Sequence, residues 1–187
     1  MVESVGTKVV VAGGLGLMSA SFLWISTASA VTAYVEIVGQ MVVLGIGLGM
    51  TAAPATESIM GSLSADKAGV GSAVNDTTRE VGGAIGLAVV GSVVNSIYRS
   101  EVAGALTELP PALAEIARRN VGKAFQAVGQ LAGTDPQAAG VLLGEVRQSF
   151  VDGMHTGLRV GALVVLVGAA VLAWRLRGVD VATDHVH

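Results

Sequence analysis

Charge is scarce in this sequence, and so is anything that would do chemistry with it. Only 13% of the residues are Asp, Glu, Lys or Arg, against about 25% in a soluble domain that must cover its surface. There is no cysteine, which excludes disulfides, thiolate metal sites and a cysteine nucleophile. With only four prolines and no Gly-X-Y period, the 26 glycines fit neither collagen nor a low-complexity chain. The net charge of −3 and a pI near 5.5 give no reason to expect nucleic-acid binding. The three histidines, His155, His185 and His187, form no HExxH or other ligand spacing, and no GxSxG elbow is present. The sequence therefore offers no catalytic residue, no metal site and no cofactor, and it reads as a non-enzyme.

What it has is apolar length. Hydrophobic residues make up 52% of 187, and the mean hydropathy is +0.68. Glycine mixed with Ala, Val and Leu suits close-packed transmembrane helices. A span needs roughly 20 apolar residues, and four stretches qualify: about 9–27, 34–60, 68–98 and 153–177. The expected fold is all-α and integral to the membrane: four transmembrane helices, with an amphipathic helical extracellular segment, 99–152, between the third and fourth. A tail, 178–187, follows.

Lys8, Lys67, Arg175 and Arg177 fall on one side of such a four-span chain, while the opposite loop, Ala28 to Tyr34, carries no Lys or Arg. The positive-inside rule then puts both termini in the cytoplasm of a multi-pass plasma-membrane protein. In the outer segment, Pro111 marks a helix start, with Leu113, Ile116, Val121, Phe125 and Val128 at roughly helical spacing. Asp135 and Pro136 mark another start, the second helix running toward the last span.

Two imitations are set aside. "KVVVAGGLGLMSA", with Glu36 beyond it, imitates a dinucleotide-binding turn, but the third glycine position is Ser19 and Leu17 to Ala30 has no charged face. The same stretch imitates a signal peptide ending Ala28-Ser29-Ala30, yet Glu3 offsets Lys8 and the apolar region is long.

Polar chemistry concentrates on the second and third spans. Gln40, Gly47, Pro54 and Glu57 recur at seven, seven and three; Asn75, Arg79, Gly82 and Gly86 recur at four, three and four. Each set shares a helix face. Neither Gly nor Pro interrupts Ser72 to Val81, so the polar knot Asn75-Asp76-Thr77-Thr78-Arg79-Glu80 reads as helix. Charges deep in a bilayer cost at least about 2.5–3.5 kcal/mol, so they seldom face lipid. Glu57 and Arg79 either sit at solvated helix ends or line a water-filled cleft. Gly45-x-x-x-Gly49 and Gly82, Gly83 and Gly86 admit close helix packing, and Pro54 invites a kink.

The block Gly45 to Val93 resembles the second half of major facilitator superfamily transporters, in the fourteen-span drug:proton antiporter branch. Gly45, Gly47, Gly49, Pro54, Ala68, Gly69, Asn75, Arg79, Gly82, Gly83 and Gly86 fill that family's pattern. "ESVGTKVVVAGG" and "QSFVDGMHTGLRVGA" resemble the entries to the third and last helices of that half. The resemblance implies a C-terminal portion or fragment of a multidrug efflux transporter, exporting hydrophobic or cationic compounds against protons. Gln40, Pro54, Glu57, Asn75 and Arg79 would belong to its transport pathway or gate, and Gly45, Gly49, Gly82, Gly83 and Gly86 to helix packing. Its partners would be the lipid bilayer and the missing N-terminal half, or a complementary polypeptide. Alternating access needs two halves, so four spans are not expected to transport alone. Two alternatives stand beside it: a small non-transporting membrane interaction protein, and a self-assembling four-span exporter with Glu57 as the proton-binding carboxylate.

Overall fold

A computed structural model describes residues 7–29, 31–107 and 109–175. Arg177, His185, His187 and the tail lie outside the described residues, as do Glu3 and Ala30 of the signal-like stretch. Among the described residues the secondary structure is helical, with no strand. The elements are α1 (Thr7–Ile25), α2 (Tyr34–Gly61), a 3₁₀ turn (Ala65–Lys67), α3 (Ala68–Ala105), α4 (Pro111–Arg119), α5 (Val121–Ala132) and α6 (Pro136–Arg175). Four of them, α1, α2, α3 and α6, are long and apolar enough to cross a membrane. The nucleotide-like Gly14-Leu15-Gly16 lies inside α1 rather than after a strand, and the polar knot lies inside α3.

Helix length separates these four. At about 1.5 Å per residue, α1 is close to the roughly 30 Å hydrocarbon thickness. The 38 residues of α3 and 40 of α6 reach nearly twice that. Both helices therefore carry turns that need not lie in lipid. Residues 106–135 join the two helices, since α3 continues to Ala105 and α6 begins at Pro136.

The chain divides into two compact units. The first takes in α1, α2, α3 through Gly83, and α6 from Gly161. It is organised by the crossing of α1 and α2. A Cβ added to Gly14 would lie 2.9 Å from the Gly47 carbonyl oxygen, and one added to Gly47 would lie 2.8 Å from Met18 Cγ. Only glycine at both positions lets the two backbones come this close. Hydroxyls add cross-links: Ser21 Oγ donates to the Gln40 carbonyl at 3.0 Å, and Ser19 Oγ to the Ala162 carbonyl of α6 at 2.9 Å. Each uses the second lone pair of a helical carbonyl. Beyond α2, Leu63 folds back so that its Cδ1 would lie 2.6 Å from a Cβ on Gly71, in the first turns of α3.

The second unit comprises the short loop after α1, α3 from Ala84, α4, α5, and α6 through Val160. Gly153 and Gly157 of α6 lie against α3, where a Cβ on Gly153 would approach the Val94 carbonyl to 2.7 Å. Further along, Tyr98 and Val102 of α3, Leu106 just beyond it, and Ala139, Leu142 and Val146 of α6 enclose Ala117, Ala124, Ala127 and Val128 of α4 and α5. The buried Tyr98 hydroxyl donates to the Ala117 carbonyl at 2.9 Å. That carbonyl lies in the last turn of α4, where no intrahelical donor remains.

The small helices are capped as their residues dictate. Asn120 ends α4 and starts α5, accepting from Gly122 N at 2.7 Å. Asp135 accepts from Gln137 N and Ala138 N at the start of α6, and Pro136 takes the position that needs no N–H. The buried face differs from the spacing-based expectation. Val128 is buried and Leu113 and Val121 are partly so, but Ile116 and Phe125 are exposed and alanines take the central contacts. Small side chains let the short helices approach closely, which larger ones at the same turns would prevent.

Candidate transport-path helices

The residues singled out on α2 do not converge on one place. Gln40 is 1% exposed. Its Nε2 donates to the Trp24 carbonyl at 3.3 Å, while Trp24 Nε1 donates to Glu36 Oε1 at 3.3 Å. Gln40 thus bonds α2 to the end of α1, directly beside Gly39, over which the Trp24 ring lies. Pro54 is buried in the same unit and Glu57, three residues on, is exposed.

Glu57 is not in open solvent on every side. It lines a cleft of about 530 Å³ with Thr7, Lys8 and Val11 of α1, Pro54, Ala55 and Ser58 of α2, and Leu172 of α6. A carboxylate and an ammonium therefore share one cleft, with two hydroxyls and an apolar lining.

On α3 the stripe behaves differently. Asn75 is buried, with Nδ2 donating to Asp76 Oδ1 at 3.4 Å, and Arg79, one turn later, is exposed. Among the described residues, a Cβ added at Gly82, Gly83 or Gly86 would meet nothing within 4 Å, and the same holds for Gly45 and Gly49 on α2. An added Cβ would come within 3.0 Å of another atom among the described residues at Gly14, Gly47, Gly71, Gly153 and Gly157. Of these, only the four-residue step in "GMHTG" stands out as a small-xxx-small spacing; Gly14 is one glycine among many.

His155 is half-buried, its Nε2 2.6 Å from the Ala28 carbonyl, tying α6 to the loop after α1. No group of three or more metal-ligating side chains occurs among the described residues.

Four helices long and apolar enough to span, two of them bearing polar stripes, describe a multi-pass membrane protein, and the comparisons with known proteins say what it is similar to. Over 168 residues the chain is 32% identical to the multidrug efflux pump LfrA of Mycolicibacterium smegmatis, covering 88% of this chain and 32% of that protein. It is 26% identical to the methyl viologen resistance protein SmvA of Salmonella typhimurium, over 89% of this chain and 33% of that protein. It is 32% identical to the tetracenomycin C resistance and export protein of Streptomyces glaucescens, over 83% of this chain and 30% of that protein. The homologues are drug-efflux and drug-resistance transporters of the major facilitator type, as the glycine, asparagine and arginine pattern implies. This chain spans about a third of their length. No family model and no solved structure matches it.

Proposed function

We propose that the chain forms the C-terminal portion of a proton-coupled multidrug exporter in the plasma membrane, with both termini cytoplasmic, the 99–152 segment extracellular, and α3 facing the transport path. One observation carries the reading. Arg79 is exposed on a helix otherwise fit to span a bilayer, and among the described residues nothing lies within 4 Å of a Cβ added at the glycines that continue its stripe. An arginine at that level seeks water or a partner helix rather than lipid, and a glycine face admits such a helix closely. The relatives, three times as long, have the additional chain to supply it.

On this reading Asn75 and Arg79 gate the cytoplasmic side of the path, and Gly82, Gly83 and Gly86 pack against the transporter's other half. The cargo is a small hydrophobic or cationic compound exchanged for protons. Gln40 and Pro54, both buried within the first unit, serve helix packing.

The test is complementation in cells stripped of their own pumps, with efflux of a cationic dye as readout. The chain alone should export nothing; supplied with the remaining two thirds of a relative, it should restore efflux. Arg79→Ala should then reduce efflux at least tenfold at normal membrane levels. Export by the chain alone would support a self-sufficient four-span pump instead. Unchanged efflux with Arg79→Ala would remove Arg79 from the gate.

A further inference from the structure

Within the second unit, α3, α6 and the joint between α4 and α5 bound a crevice of about 360 Å³. Its α3 wall runs from Leu87 to Tyr98, Asn120 and Val121 close it at the joint, and Phe150 lines it from α6. That α3 wall rises roughly 16 Å at about 1.5 Å per residue. It belongs to the uncharged stretch Val81 to Tyr98, and Arg99 is the next charge. A long basic side chain that closes an apolar span reaches for the headgroup level. The crevice therefore begins near that level and descends into the hydrocarbon of one leaflet.

Its character changes along that descent. Near the headgroup end lie the Asn95 and Asn120 amides; Val90 and Leu87 continue it inward, Leu87 being 77% exposed. No charged side chain lines it, and the undescribed residues of this unit, Ala30 and Glu108, adjoin none of its lining in sequence. The free hydrogen-bonding capacity is mostly donor. Asn120 Oδ1 already accepts from Gly122 N, which leaves its Nδ2. Tyr98 has spent its hydroxyl proton on the Ala117 carbonyl. Asn95 makes no hydrogen bond among the described residues, and an amide at that depth is costly without a partner. We infer that this crevice is a binding site for a glycerolipid of that leaflet, held by an ester carbonyl and one acyl chain.

The lining selects that occupant over others. A fatty-acid ester has acceptor oxygens and no N–H or O–H of its own, so it complements amide donors. Its chain passes from the ester straight into apolar surroundings, as the crevice passes from its amides to Val90 and Leu87. With no charge in the lining, headgroup charge should matter little. The missing transporter half fits this face less well. At about 3.6 residues per turn, Leu87, Gly91 and Tyr98 lie more than a quarter turn from Gly82 and Gly86, the face assigned above to that half. Gly91 leaves room for a chain, since a Cβ there would meet nothing within 4 Å among the described residues. The site stands independently of the transport reading, since each wall belongs to this chain.

Native mass spectrometry of the full chain, released from vesicles holding equal amounts of a diester phosphatidylcholine and its diether analogue, measures the preference directly. The diester should be retained several-fold over the diether, and a phosphatidylglycerol pair should give the same ratio. Asn95→Leu should abolish the ester preference, and Gly91→Phe should lower retention of both lipids. Ser92→Ala, on another face of α3, should change neither. A photoreactive side chain at Leu87, irradiated in intact membranes, should label glycerolipid. Equal retention of diester and diether by the unaltered chain would overturn the proposal. So would an ester preference that persists in an Asn95→Leu chain of unchanged helical content, or a Leu87 cross-link to polypeptide instead of lipid.

Discussion

Gly14 and Gly47 face each other across the α1–α2 crossing so closely that a Cβ on either would lie 2.9 Å from the other's carbonyl oxygen. The obstacle on each side is backbone, which cannot rotate away as a side chain can. Gly47→Ala should therefore force the helices apart, costing about 1–3 kcal/mol as overpacking does. Gly45→Ala, two residues away and facing open space, should cost the chain almost nothing. Reversible unfolding in mixed micelles, compared for the two variants, checks the contrast.

The α3–α6 contact should be as intolerant at one glycine as it is indifferent at another. Gly153→Ala meets the Val94 carbonyl at 2.7 Å, whereas Gly144→Ala and Gly168→Ala on the same helix meet nothing. Amide exchange around Val90 to Tyr98 should accelerate in the first variant and stay unchanged in the other two.

Removing the Tyr98 hydroxyl leaves the Ala117 carbonyl without the donor that the end of α4 cannot supply. Tyr98→Phe should destabilise the α4–α5 region by about 1 kcal/mol, the usual net worth of such a bond. The measurement is hydrogen exchange in α4 and α5, with α1 and α2 as internal reference.

The pair formed by Glu115 with Arg119 gives a pH dependence with a definite sign. Arg119 Nε donates to Glu115 Oε1 at 2.9 Å, and that bond with the guanidinium charge holds the carboxyl below its ordinary range. A lowered folded value means that the pair stabilises α4 above the unfolded carboxyl pKa and is lost as pH falls through the folded one. Both side chains are solvent-exposed, so the effect should be small and screened by salt. Carbon-detected titration of Glu115 should show the depressed midpoint, and Arg119→Ala should return it toward the ordinary carboxylate value.

Local signals in the sequence reached the helices and their ends; pairings between helices were mostly beyond them. Asn75 to Glu80 is legible as helix because nothing in Ser72 to Val81 breaks one. Asp135-Pro136 is legible as a helix start because capping is chemistry between neighbours. The Gly14–Gly47 contact needs the register of one helix against another, which no single stretch encodes. The alanine-lined core of α4 and α5 is hidden for a related reason. Spacing marks Ile116 and Phe125 as apolar, but the closeness of the partner helix decides which turn is buried, and alanine allows the closer approach. Glu57 and Arg79, both charged and both in helices able to span, could not be told apart until one was found lining a cleft and the other beside an open glycine stripe.

The buried set running from Tyr98 to Val146 has a practical consequence for anyone mapping which side of the bilayer each loop occupies. Proteases and inserted reporters find spans by the slack chain between them, and here the connection from third to fourth span is itself folded and hydrogen-bonded. Among the described residues, Thr107, Pro110, Asn120 and Gly133–Asp135 are the points in it outside both helix and core. A cleavage site or tag placed anywhere else between Tyr98 and Val146 would stay silent, and the loop would be assigned to the wrong compartment.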